Sequence, residues 1–125
     1  MEIERRGFVV GAAALAVATP ALGAAQMYGL IGKMLTAPGQ RDAVIAILLD
    51  GTGAMPGCLS YVVATDPTNP DAIWITEVWD SAASHHGSLE LPAVQAAIAK
   101  ARPMIAGFGE RFETNPVGGV GLAAL

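Results

Sequence analysis

The chain has 125 residues, 53% of them apolar and 14% charged, and carries a formal net charge of −4. That length fits one domain, and an acidic balance without any Lys/Arg patch excludes phosphate-backbone recognition, so no nucleic-acid partner is expected. Cys58 is the only cysteine, which excludes an intrachain disulfide; it reads first as a small buried apolar residue.

Residues 1–26 read as an export signal. Arg5-Arg6-Gly7-Phe8 precedes an apolar run, Phe8–Ala18, too short and too rich in Ala and Gly to span a bilayer securely. Pro20 breaks the run, and Ala21, Gly23, Ala24 and Ala25 supply the small residues that a signal peptidase requires. The arginine pair resembles the twin-arginine export motif. The expectation is a periplasmic or extracellular protein with no stable membrane span after signal removal; the competing reading is a retained helical anchor. The domain is then expected over residues 27–115, followed by a Gly-rich tail, 116–125, without periodicity.

Met27–Thr36 alternates loosely and predicts the first strand. Pro38-Gly39 turns into a helix over about Gln40–Asp50, with Val44, Ile45, Leu48 and Leu49 as its apolar stripe. Gly51, Gly53 and Gly57 mark turns before a second strand, Cys58–Thr65. Asp66–Asp71, DPTNPD, is a polar turn that makes an antiparallel hairpin with the third strand, Ala72–Asp80. In that strand Ile73, Ile75, Glu77 and Trp79 share one face, and Trp74, Thr76 and Val78 the other. Asp80-Ser81 predicts a helix N-cap, Ala82–Leu89 a short helical turn, and Pro92–Arg102 a longer helix whose stripe runs Val94, Ile98, Ala101, Ile105. Phe108–Thr114 closes the series as a strand, with Phe108, Glu110 and Phe112 alternating with Arg111 and Glu113. The order β-α-β-β-α-β is that of a ferredoxin-like α+β domain, an antiparallel sheet with helices on one face. Its other face carries Trp74 and Val78, and a second copy is the economical cover, so a homodimer is expected.

Phosphate- and dinucleotide-binding motifs are missing, no Cys/His set has metal-ligand spacing, and no serine marks a nucleophile elbow. What remains is a group of side chains that could line a cavity between sheet and helices: Glu77 and Trp79 on one strand face, Tyr61 on the hairpin partner, Lys33 in the first strand, and His85 and His86 just after Trp79. Each has an ordinary reading as core, ion pair or solvated surface. Together, an apolar pocket with a titratable rim favours a small aromatic ligand.

Tyr28–Thr36 followed by Pro38-Gly39, the Pro56-Gly57-Cys58-Leu59 run, and Glu77-Val78-Trp79-Asp80 with a histidine beyond resemble the antibiotic biosynthesis monooxygenase family, including its quinol monooxygenases. The resemblance covers Met27 to about Leu122. It implies a dimeric α/β barrel that oxygenates quinols, anthrones or polyphenols with O2 and without flavin, haem or metal. It also implies His85, Glu77 and Trp79 as catalytic residues, with Tyr61, Lys33 and His86 toward the substrate. A haem-degrading branch of the family uses an asparagine where this chain has Lys33, and a histidine later than His85, which follows Trp79 by six residues. A non-catalytic small-molecule or haem-binding protein of the same fold is the alternative, and isomerisation or dehydration by a general base is a third.

Overall fold

The computed structural model describes residues 26–122, so the expected export signal lies, save Gln26, outside the described residues. The elements are β1 (Tyr28–Thr36), α1 (Arg41–Gly51), β2 (Cys58–Thr65), β3 (Ala72–Trp79), α2 (Ala82–Ser88), α3 (Pro92–Ala101), a 3₁₀ turn over Arg102–Met104, and β4 (Ile105–Thr114). The strands form one sheet in the order β2-β3-β1-β4, each neighbouring pair antiparallel. This is the ferredoxin-like α+β arrangement. Within one chain the sheet is open, with β2 and β4 at its edges. No helix among the described residues is long and apolar enough to cross a membrane.

The period-two pattern of β3 decides what the sheet does. Ile73 and Ile75 pack with Val44 of α1 and Ala101 of α3 to form the core, and Trp79 is buried on the same inner face. Leu30, Gly32 and Met34 of β1 stand opposite Glu77, Ile75 and Ile73, and Tyr61 and Val63 of β2 stand opposite Glu77 and Ile75. The helices approach closely where a residue is missing a side chain: a Cβ on Gly51 would lie 2.6 Å from that of Ala97. Burying the largest core side chains is worth about 1.5–3 kcal/mol each.

Two expectations change. The α3 stripe does not run on to Ile105, because Pro103 cannot extend a helical hydrogen-bond ladder. The chain instead makes its 3₁₀ turn, Ala37 N–H donates to the Met104 carbonyl at 2.9 Å, and Ile105 pairs with Thr36 to open β4 ahead of Phe108. The second change is in β4 itself. Its pairing slips between Gly32↔Arg111 and Met34↔Phe108, so an irregularity at Gly109 and Glu110 puts Phe108 and Arg111 on the same inner face. Phe112, opposite Ile31, belongs to the outer face.

Candidate functional site

A cavity of about 530 Å³ lies between the inner sheet face and the helices, within the size range of small-molecule pockets (about 300–1,000 Å³). Leu30, Ile75, Trp79, Val94 and Ala97 give it an apolar wall. It borders β4 at Phe108, whose side chain is 72% exposed, so this side is open.

One end of the cavity is polar, and α2 makes it so. Ser81 caps that helix, its Oγ accepting the Ser84 N–H at 3.1 Å. Gly57, with φ +83°, lies directly beneath: a Cβ there would approach Ser84 Oγ to 2.5 Å and Asp80 Oδ1 to 2.8 Å. Only glycine permits both that backbone and that contact. The helix thus held turns His85 toward β3, where it is 8% exposed and its ring stands 5.5 Å from that of Trp79, edge-on. Its Nε2 is 3.9 Å from Glu77 Oε1, an approach longer than a hydrogen bond, and its Nδ1 has no hydrogen-bond partner. Trp79 Nε1 donates to that same Glu77 oxygen at 2.8 Å.

Burial governs both titrations. It raises the Glu77 carboxyl above its ordinary value, against the Trp79 N–H and the Arg111 charge, which favour the anion. It lowers His85, aided by the charges of His86 and Arg111 and opposed by Glu113. Neutral imidazole is therefore the favoured form at pH 7, beside a carboxyl of raised proton affinity.

The sequence-predicted residues divide. Glu77, Trp79, His85 and Tyr61 all border the cavity, with Tyr61 directly across the hairpin from Glu77. Burial, then the Glu77 charge, pushes the Tyr61 hydroxyl up, so it stays protonated. Lys33 borders the cavity only from β1; paired with Trp74, its side chain belongs to the outer face. Its Nζ sits 5.5 Å over the Trp74 ring, 3.7 Å from Asp66 and 3.9 Å from Glu110. The inward Lys33 that the resemblance implied is thus corrected by strand parity. His86 is exposed and does not border the cavity, since adjacent helical side chains diverge by about 100°.

Two residues to which sequence reasoning assigned no role, Tyr28 and Arg111, complete the polar end. Tyr28 stands opposite Trp79, its ring 5.1 Å from His85, and its hydroxyl donates to Glu113 at 2.6 Å. Arg111 borders the cavity from β4. Their common signal was the inner face of β1 and β4, legible only once the irregularity in β4 is known. Among the described residues no group of three or more His, Cys, Asp or Glu is placed to hold a metal ion.

The fold and this pocket define a small-molecule-binding domain of the monooxygenase-like ferredoxin class. Residues 27–100 match the antibiotic biosynthesis monooxygenase family, and the chain belongs to that family. A solved protein from Chloroflexus aurantiacus J-10-fl, named "putative Antibiotic biosynthesis monooxygenase", is 68% identical, superimposes with a TM-score of 0.75, and matches over 78% of this chain and 99% of its own. A protein so named from Caulobacter crescentus CB15 is 20% identical (TM-score 0.68, 76% of this chain and 93% of its own). PA3566 from Pseudomonas aeruginosa is 16% identical (TM-score 0.66, 77% and 99%); these two share the fold. No curated protein matches the chain significantly.

Proposed function

We propose that this protein is a cofactor-independent monooxygenase that oxidises a quinol- or polyphenol-like aromatic with O2. The observation that carries the reading is the buried His85, favoured in its neutral form, at the wall of an apolar cavity beside Trp79 and Glu77. A hydroquinone reacts with oxygen once deprotonated, because the anion gives up an electron far more readily. The ring itself is the reductant: a hydroquinone plus O2 yields a hydroxyquinone and water, one oxygen atom entering the ring and the other leaving as water. The protein has to hold the ring, take the proton and exclude water. In this reading Trp79 and Tyr61 hold the ring, His85 takes the proton, and Glu77, fixed by the Trp79 N–H, orients the imidazole and shares its charge.

The test is oxygen uptake by metal-stripped protein with a panel of hydroquinones and anthrones. His85→Ala should lower the rate by about 10²- to 10⁴-fold, the range for losing a general base. No uptake above buffer with any panel member overturns the reading, and a Soret shift on haem titration would favour the haem-binding alternative.

A homodimer belongs to the same proposal. The outer sheet face exposes Val62 (53%) and Phe112 (54%) beside Ile31 and Val78, a contiguous apolar surface that a second copy would cover. Sedimentation at micromolar concentration should give twice the chain mass; a single-chain mass overturns it. Export by the twin-arginine-like leader is also proposed, with N-terminal sequencing of the exported form as its test.

A further inference from the structure

The cavity contains an apolar box for a ring, yet charged residues border it too, and their engagements differ. The Lys33 ammonium is turned to Asp66 and Glu110, while the Glu113 carboxylate accepts the Tyr28 hydroxyl. Arg111 lies beside the Tyr28 hydroxyl, where its charge favours the phenolate, but forms no salt bridge with any described carboxylate. It stands opposite Gly32 on the inner face, where β1 offers no side chain to obstruct it, and it borders the cavity at the exposed β4 edge. Its charge also reaches inward, since it favours the anion of Glu77 and the neutral form of His85. Among the described cavity residues it is the Lys or Arg side chain with no carboxylate within salt-bridge distance.

We infer that Arg111 is a specificity-determining residue that binds an anionic substituent of the substrate at the cavity rim, so that the physiological ligand is an acidic aromatic whose ring lies toward Trp79. The guanidinium fork suits a carboxylate, which it grips through two parallel N–H donors. Placed at the open side, such a group keeps most of its hydration while the ring is buried. The charged end also fixes which ring edge meets His85, something an apolar wall alone does poorly. This inference rests on the proposed reading only for the cavity as an aromatic site, and it is silent on turnover.

The experiment therefore measures binding, by calorimetry on the full chain under anaerobic conditions, with two probes of equal shape that are not hydroquinones: 1-hydroxy-2-naphthoate and its neutral amide, 1-hydroxy-2-naphthamide. The wild type should bind the carboxylate roughly five- to tenfold more tightly, the size of a partly exposed charge-assisted contact. Arg111→Gln should erase that preference while leaving affinity for the amide unchanged, which also certifies the fold. Arg111→Lys, which keeps the charge and loses the fork, should retain about half of the preference on a logarithmic scale. Equal wild-type affinity for the two probes, a preference surviving in Arg111→Gln, or no binding of either probe overturns the inference. Selective carboxylate binding without oxygen uptake by the dihydroxy counterpart supports Arg111's role and removes the monooxygenase reading alone.

Discussion

Asp66 and Glu77 invite comparison because each accepts a tryptophan indole N–H at 2.8 Å, from Trp74 and Trp79 respectively. Asp66 sits in the β2–β3 turn and reaches the outer sheet face. It also accepts the Thr68 N–H at 2.8 Å, the Thr68 hydroxyl at 2.9 Å and the Asn69 N–H at 3.0 Å. The Thr68 N–H first, then Trp74, hold its carboxyl well below the usual carboxylate range. Glu77, on the inner face, has the Trp79 N–H alone, and burial outweighs it. A carboxylate saturated with donors is committed to structure; one with a single donor in an apolar wall keeps its affinity for a proton. On the proposed reading, the outer-face acid serves structure alone, while the inner-face acid, set among core residues, serves the chemistry.

The largest effect that could break this contrast is on folding. Asp66→Ala strands the Thr68, Asn69 and Trp74 donors and loosens the turn that Arg41 grips through the Asn69 carbonyl at 3.0 Å. A fall in the thermal midpoint of roughly 5–10 °C is expected, with oxygen uptake per folded molecule unchanged. Glu77→Gln should do the reverse: a midpoint within about 3 °C of wild type, since burying an amide is easier than burying a charge, and uptake lowered by about 10- to 100-fold. If both variants lose stability equally and activity not at all, the division of the two faces is wrong.

The pH dependence sharpens the contrast at intermediate size. Asp66 titrates lower in the folded chain than its unfolded value of about 3.9, so its contribution to stability is complete above that pH and is lost as pH falls further. Glu77 titrates higher than about 4.3, so it contributes stability below that pH that disappears as pH rises through its folded value. His85 titrates lower than about 6.5; its contribution is present above neutrality and is lost as pH falls toward the folded value. Urea titrations between pH 4 and 7.5 should therefore show the change in stability with rising pH becoming less favourable than wild type in His85→Gln and more favourable in Glu77→Gln. An identical pH profile for all three proteins would show that neither group titrates differently in the fold.

Much of this architecture was legible because it is local. The alternation of β3, the DPTNPD turn and the Ser81 cap are written within a few consecutive residues, and the fold matches them. Glu77, Trp79, Tyr61 and His85 were legible as one group because the hairpin and the β3–α2 turn tie them together. Lys33, Tyr28 and Arg111 were not. Which face of β1 a residue takes depends on its pairing with β3 and β4, and a slip of one residue reverses every side chain. The pairing irregularity at Gly109 and Glu110 does this within β4, placing Arg111 beside Phe108 where plain alternation separates them.

The smallest expected effect probes the shared feature itself. Trp74→Phe removes one indole donor from Asp66, which keeps Thr68 and Asn69, so its carboxyl should rise only part of the way and stay below the ordinary aspartate value. Trp79→Phe removes from Glu77 the one donor it has, leaving burial opposed by Arg111 alone, so a value already raised should rise further. Both substitutions keep a ring in place, and each removes one hydrogen bond. Carbon-detected titration of the side-chain carboxyls reads the two directly. Equal displacements would mean that the indole contributes the same to both sites and that the remaining donors at Asp66 are idle. A larger displacement at Glu77 would mean that Trp79, by its N–H as well as by its ring, sets how readily the acid beside His85 gives up its proton.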